Sequence, residues 1–267
     1  MARANRHHIP GQVWHITHRC HDRRFLLTFA RDRTRWIHWL FESKKRYGLR
    51  VLNYIVTSNH IHLLVLDGDK DVIPRSMQLT AGQTGKEYNR RKARKGAFWE
   101  DRYHATAVET ESHLLRCLAY IDLNMVRANV VEHPSNWAFG GYSEIQNPPK
   151  RYSLLDRESL MWACAVEDDE HLRRLHRQTI EEALSKNSRQ REPEWTEAIA
   201  VGSKPFVQGI KKKLGLMAQG RKILETSGRF AFREPETAYN NDFGAKKALL
   251  SVDNTYEWDL NLDKSAL

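Results

Sequence analysis

Residues 49–66 read Leu-Arg-Val-Leu-Asn-Tyr-Ile-Val-Thr-Ser-Asn-His-Ile-His-Leu-Leu-Val-Leu. Two apolar β-type runs, Leu49–Val56 and Ile61–Leu66, flank Thr57-Ser58-Asn59, whose short hydroxyl and amide side chains suit a tight connection. The stretch therefore reads as a β-hairpin. Outward from it the hydrophobic period changes on both sides. Phe29–Tyr47 carries Trp36, Ile37, Trp39, Leu40 and Phe41 at near-helical spacing, and Gly48 is placed to end that helix. Ile73–Arg91 is helical again, with Gly82 and Gly85 weakening its middle. Beyond these helices, Val13–Cys20 and Arg102–Glu109 each alternate as a strand. Strand, helix, hairpin, helix, strand predicts an α+β fold, a split βαβ (ferredoxin- or RRM-like) antiparallel sheet with helices on one face. Glu111–Val131 follows as a strong helix on Leu114, Leu115, Leu118, Ile121 and Val126.

Asn147-Pro-Pro-Lys150 marks a boundary, because it is Pro-rich and coincides with a step in charge. Residues 1–150 hold 24 basic and 14 acidic side chains and 11 of the 13 histidines, whereas 151–267 balance at 19 and 19. The reading is one module over 1–146 and a mostly helical region over 151–267, with helices at Leu172–Ala183, Glu194–Ala200 and Phe206–Leu214. A net charge of +10 concentrated in one module points to a polyanionic partner, nucleic acid above all. No run approaches the roughly 18 apolar residues of a membrane span, so no membrane partner is expected. The N-terminal segment has no apolar core like that of a signal peptide. Three scattered cysteines make no disulfide framework, and the expectation is a cytoplasmic protein.

His60-Ile-His62 is the sharpest chemical feature. On a strand the two imidazoles share one face, about 7 Å apart at Cα, while Ile61 and Leu63 face the core. Such a pair can bind one divalent metal; two solvated strand histidines are the plainer reading of the motif alone. Tyr120 and Asn124 sit four apart on the predicted helix and so share a face, with Arg116 and Arg127 near the same azimuth. A half-buried Tyr with a polar tip would explain Tyr120 taken singly.

Together these residues resemble the single-tyrosine HUH transposases, in the branch associated with repetitive extragenic palindromes (REP). His60-Ile-His62 with its apolar flanks is similar to the HUH motif, and Tyr120-Ile-x-x-Asn124-x-Val-Arg-Ala to the nucleophile helix. Phe98-Trp-Glu-x-Arg102-Tyr103 and Trp137 followed by Tyr142 match further segments, so the resemblance runs over about residues 6–146. It implies that His60 and His62 bind Mg²⁺ or Mn²⁺ with Asn124 as third ligand. It also implies that Tyr120 attacks a DNA phosphate, leaving a 5′-phosphotyrosine and a free 3′-OH. The family usually has Pro after the Asn and Gly after Arg-Ala; Met125 and Asn129 stand there instead, which puts the aim of Asn124 in question.

A phenol with an ordinary pKa near 10 needs help to ionise, and Arg116, Arg127 and His104 are candidates for that help or for gripping phosphate. DNA contacts are expected from Arg3 and Arg6, with His7 and His8 beside them, and from Arg90, Arg91, Lys92, Arg94, Lys95 and Arg102. Trp99 and Tyr103 are candidates for base stacking or for core packing. The rival tyrosines Tyr54, Tyr88 and Tyr103 lack an amide partner four residues on. A zinc reading of His18, Cys20 and His21 lacks a fourth ligand. Lys211–Lys213 and Arg221-Lys222 hint at a DNA-binding addition, and Glu167–Glu170 points the other way. The expected activity is metal-dependent cutting and joining of single-stranded DNA at hairpin palindromes, by a monomer or homodimer. The alternative is a DNA- or RNA-binding regulator that keeps the fold without the chemistry.

Overall fold

Thr57 closes the central hairpin. Its N–H donates to the His60 carbonyl at 3.0 Å, and its hydroxyl donates to the same carbonyl at 2.8 Å and accepts from the His60 N–H at 3.1 Å, so the side chain replaces the return ladder bond of the turn. The computed structural model describes residues 8–186, 191–218, 220–226 and 228–233. Arg3, Arg6, His7 and the chain after Asn240 lie outside the described residues.

The first module follows the expected order: β1 (Val13–Arg19), α1 (Ala30–Tyr47), β2 (Arg50–Val56), β3 (His60–Leu66), α2 (Val72–Arg91) and β4 (His104–Val108). Its strands pair antiparallel in the order β2-β3-β1-β4. Gly48 ends α1 at φ 70°, a left-handed conformation that costs glycine little, and its N–H caps the Lys44 carbonyl at 2.9 Å. The glycine of α2 at position 85 has a packing reason: a Cβ there would stand 3.1 Å from the Phe98 side chain.

Register decides the site. Cross-strand partners share a face, and Thr17 pairs with His62 on one side and His104 on the other, while His15 pairs with Leu64 and Thr106. His15, Thr17, His60, His62, His104 and Thr106 therefore line one face, and Trp14, Ile16, Ile61, Leu63 and Val65 the other. The two crossover helices lie together, with Ser43 of α1 and Thr80 of α2 sharing a hydroxyl bond of 2.7 Å. They cover the Trp14 face: Trp99 stacks on His18 of that face and donates to the Ala81 carbonyl of α2 at 2.9 Å.

The histidine face is covered by the rest of the chain. The helix expected over 111–131 is shorter and divided, into α3 (Ser112–Asp122) and α4 (Asn124–Arg127). Asn129 turns left-handed at φ 54°, and the Val130 N–H returns to the Met125 carbonyl at 3.0 Å, so the helix ends in a local cap. Four further helices follow: α5 (Tyr142–Gln146), α6 (Arg157–Cys164), α7 (Asp169–Ser185) and α8 (Glu194–Glu197). A buried polar bolt fixes α3 to its neighbours: Asp122 accepts from Asn53 of β2 at 2.9 Å and bonds His176 of α7 at 2.7 Å.

The region after residue 150 is mostly helical among the described residues, as expected, with helices over the three stretches named from the sequence. Beyond Ser185 it also supplies β5 (Ala200–Gly202), β6 (Lys222–Thr226) and β7 (Arg229–Arg233), with α9 (Lys204–Leu214) after β5. β5 pairs parallel to β4 and antiparallel to β7, so one seven-stranded sheet runs β2-β3-β1-β4-β5-β7-β6. A strand of three residues carries too little pattern to be seen by periodicity. Trp14, Trp36, Trp195 and Phe232 are fully or almost fully buried in one continuous core that spans both parts. Among the described residues, no helix is long and apolar enough to cross a membrane.

Candidate active site and metal cradle

His60 and His62 meet Asn124, the residue that the resemblance groups with them. The Asn124 amide nitrogen lies 3.0 Å from His62 Nε2 and 3.4 Å from His60 Nε2. The helix divides at Leu123 but keeps its sense, since the Arg127 N–H still bonds the Leu123 carbonyl at 2.8 Å, so Met125 in place of Pro does not turn Asn124 away. Met125 itself is buried in the core.

Hydrogen bonds fix the tautomer of each histidine. The Asn59 amide donates to the Arg23 carbonyl at 3.1 Å, which leaves its oxygen to accept from His60 Nδ1 at 2.7 Å. The proton of His60 is therefore on Nδ1, and Nε2 offers a lone pair toward Asn124. His62 Nδ1 lies 2.8 Å from His15 Nε2, and His15 Nδ1 lies 2.9 Å from the Trp195 carbonyl. All three rings are neutral at pH 7. Burial pulls His15 down to about 3 and His60 to about 4, with the Arg19 and Arg127 charges adding to the latter. Burial likewise holds His62 well below the usual imidazole range.

Tyr120 stands against these rings. Its ring centroid is 5.8 Å from that of His62 and 6.2 Å from that of His15, both edge-on. The Arg127 guanidinium lies over the Tyr120 ring at 4.1 Å and donates to the Tyr120 carbonyl at 2.6 Å. Desolvation raises the phenol above its ordinary value, and the Arg127 charge opposes that rise. At neutral pH the hydroxyl is protonated.

His60, His62, Tyr120 and Asn124 open on a cleft of about 1160 Å³. Arg19, Arg23, Arg102 and Arg127 line it from the first module, and Arg191, Arg221 and Arg233 from the last part of the chain. Glu100, Asp101 and Glu197 are the acidic side chains among the lining residues, so the cleft favours an anion. The charge-balanced C-terminal half thus places its own arginines where they matter. Sequence reasoning missed Arg19, Arg23, His15 and, of the cleft arginines after residue 150, Arg191 and Arg233, while Arg221 belongs to the basic pair that hinted at a DNA-binding addition. The alternation of β1 could have flagged His15 as sharing a face with Arg19, but only the register brings it against His62.

Other expected residues lie elsewhere. Arg116 is exposed and does not line the cleft, because one helical turn before Tyr120 has already left its rim. His104 lines the cleft, with Nε2 bonded to the Ala198 carbonyl at 2.9 Å. Arg90, Lys92 and Lys95 are exposed, whereas Arg91 pairs with Asp32 and Arg94 donates to Asn89 and the Ala97 carbonyl. Trp99 and Tyr103 pack against the core, as do Tyr54 and Tyr88. Cys20 is buried, and His18 stacks on Trp99, so these two do not meet as ligands. The acidic run at 167–170 opens α7: Asp168 caps it through the His171 N–H at 2.7 Å, and Asp169 pairs with Arg157.

Residues 10–124 match the family described as IS200-like transposases, a segment that begins before β1 and ends on Asn124. The resemblance drawn from the His-Ile-His and Tyr-x-x-x-Asn motifs is shown over that segment. Among solved structures, a REP-associated tyrosine transposase bound to a REP hairpin is similar over 54% of this chain and 84% of that chain, at 19% identity and a TM-score of 0.45. A Deinococcus radiodurans R1 protein assigned as a transposase is similar over 47% of this chain and 95% of that one, at 14% identity and a TM-score of 0.32. No curated protein matches the chain.

Proposed function

We propose that this chain, whose residues 10–124 carry an IS200-like transposase segment, is a metal-dependent enzyme that cuts and rejoins single-stranded DNA beside hairpin palindromes through Tyr120. The observation that carries the reading is the convergence of His60 Nε2 and His62 Nε2 on Asn124 beside the Tyr120 ring, in a cleft lined by arginines. The donor set suits a divalent cation: both imidazole nitrogens are unprotonated, and a half-turn of the Asn124 amide presents its oxygen to them. Two nitrogens and one oxygen favour Mn²⁺ over the oxygen-seeking Mg²⁺. Bound there, the metal supplies Lewis-acid polarisation of the scissile phosphate.

The remaining chemistry belongs to the protein. Arginines of the cleft hold the strand by its phosphates and offset the charge that gathers on the phosphoryl oxygens. Arg127 packs on the Tyr120 ring, which limits the positions the hydroxyl can take. Loss of the phenolic proton lets the Tyr120 oxygen form a bond to phosphorus as the P–O3′ bond breaks. The departing oxygen takes a proton, so the upstream strand is released with a free 3′-OH, and the downstream strand stays on Tyr120 through its 5′-phosphate as a phosphotyrosine. Reversal with a second 3′-OH rejoins strands.

The test is a covalent-adduct assay with labelled hairpin DNAs and Mn²⁺ on a denaturing gel. A protease-sensitive shifted band is expected, lost with Tyr120→Phe, with the double change His60→Ala and His62→Ala, and with EDTA. Retention of DNA on a native gel with no adduct or cut on any hairpin would replace the enzyme by a nucleic-acid-binding regulator on the same fold.

A further inference from the structure

Trp195 lies outside the segment that matches the transposase family, and its backbone carbonyl points at the histidine face of the sheet. The reason is local. Within α8 the Ala198 N–H bonds the Glu194 carbonyl at 3.2 Å, but the next donor in line, the Ile199 N–H, is taken by the Phe232 carbonyl of β7 at 2.6 Å. The strand addition that builds β5 and β7 into the sheet thus strips the Trp195 carbonyl of its helical donor. His15 Nδ1 fills the gap at 2.9 Å. The side chain of Trp195 is fully buried, with Nε1 bonded to Glu192 at 3.0 Å and the Arg229 guanidinium over its ring at 5.1 Å, so this carbonyl is firmly held.

A carbonyl can only accept, so His15 carries its proton on Nδ1, and the Nε2 of the neutral ring can only accept in turn. The donor facing it at 2.8 Å is His62 Nδ1. The proton of His62 is thereby placed on Nδ1 and the lone pair on Nε2, the atom 3.0 Å from Asn124. The two imidazoles lie edge to edge and nearly coplanar, with centroids 5.0 Å apart and planes 16° from parallel, so this in-plane bond sets the orientation of the His62 ring.

We propose that His15 is a positioning residue for the metal cradle: held by the Trp195 carbonyl, it fixes the tautomer and ring orientation of His62 so that Nε2 is presented as a ligand. The inference rests on reading His60, His62 and Asn124 as that cradle. It assigns the C-terminal region a place in the site, as the element that anchors the second layer behind a ligand. Metal-binding histidines in general are oriented by such a partner on the other ring nitrogen, and its loss typically weakens metal affinity about 10- to 100-fold.

The test uses the full chain, with His15→Phe, which keeps a ring but no hydrogen bond, and His15→Gln, whose amide can donate to Trp195 and accept from His62. The first readout needs neither metal nor DNA: long-range ¹⁵N–¹H spectra of ¹⁵N-histidine-labelled protein, with His62 assigned by its loss in His62→Ala. His62 is expected to be protonated on Nδ1 in the parent chain and in His15→Gln, and to show mixed or Nε2 protonation in His15→Phe. The second is Mn²⁺ titration calorimetry, where His15→Phe is expected to bind about 10- to 100-fold more weakly and His15→Gln within a few-fold of the parent. Nε2 protonation of His62 in the parent chain would overturn the proposal. So would a His15→Phe protein that binds Mn²⁺ like the parent while His62→Ala does not. Failure of the parent chain itself to bind Mn²⁺ would instead bring down the cradle reading on which this inference stands.

Discussion

Tyr120 is the residue on which the chemistry turns, and its environment makes a kinetic prediction. Desolvation raises the phenol above its ordinary value and Arg127 only partly opposes this, so the ionised form is scarce at neutral pH. Adduct formation should therefore climb with pH through 7 to 9 without reaching a plateau, at close to tenfold per unit where ionisation limits the rate. Single-turnover rates on a hairpin substrate check it; a plateau below pH 8 would mean that another group sets the reactive fraction. Tyr120→Phe should abolish the adduct and leave Mn²⁺ affinity within a few-fold, because no bond from the phenol to the cradle holds either histidine. The bolt at Asp122 behaves differently. Asp122→Ala leaves His176 and the Asn53 amide buried without their shared acceptor, a loss of about 3 kcal/mol that chemical denaturation should read directly.

At the scale of elements, periodicity made the first module legible and the last part only partly so. The hairpin, α1 and α2 announced themselves through sustained periods of two and 3.6, with bounds displaced by a residue or so. The end of α4 was overrun because Val130 and Val131 continue the apolar pattern, although Asn129 is a residue type that tolerates the left-handed turn it makes there before the chain caps itself on Met125. His60, His62, Tyr120 and Asn124 were readable because strand and helix spacing puts each pair on one face. His15 was not, since its role depends on a register between distant strands and on a carbonyl 180 residues away. The β4–β5 junction escaped notice for the same reason. It is also narrow: a Cβ on Gly202 would stand 2.6 Å from the Phe206 ring and 2.7 Å from Glu109 Cβ. Glu109 also accepts from the Ser203 hydroxyl at 2.8 Å, so moving it breaks the start of α9. Gly202→Ala should destabilise the protein by about 1–3 kcal/mol through overpacking. If the junction anchors the site as argued, the loss should be accompanied by weaker Mn²⁺ binding in the protein that remains folded. Denaturation and calorimetry on the same preparation separate the two effects.

For the whole molecule, the excess of positive charge divides into cations that can meet DNA and cations already committed to the fold. Arg90, Lys92 and Lys95 are exposed at and beyond the end of α2, while Arg91 is paired with Asp32 and Arg94 is spent on Asn89 and the Ala97 carbonyl. Neutralising a phosphate releases condensed counterions, so each true contact adds roughly 0.7 to 0.9 to the slope of log affinity against log salt. Combining Arg90→Ala, Lys92→Ala and Lys95→Ala should therefore make that slope shallower by about 2 to 3 if all three meet phosphate. Hairpin affinity should fall most at low salt, with the melting temperature nearly unchanged. Arg91→Ala should do the reverse, lowering the melting temperature through the loss of its partner Asp32 while leaving the slope within one contact of the parent. Fluorescence anisotropy across 50 to about 300 mM salt measures both slopes, over a range in which electrostatic affinity changes by decades. A triple variant with the parent slope would take the α2 terminus out of the DNA path. The cleft arginines, drawn from both ends of the sequence, would then be left as the electrostatic grip on the strand.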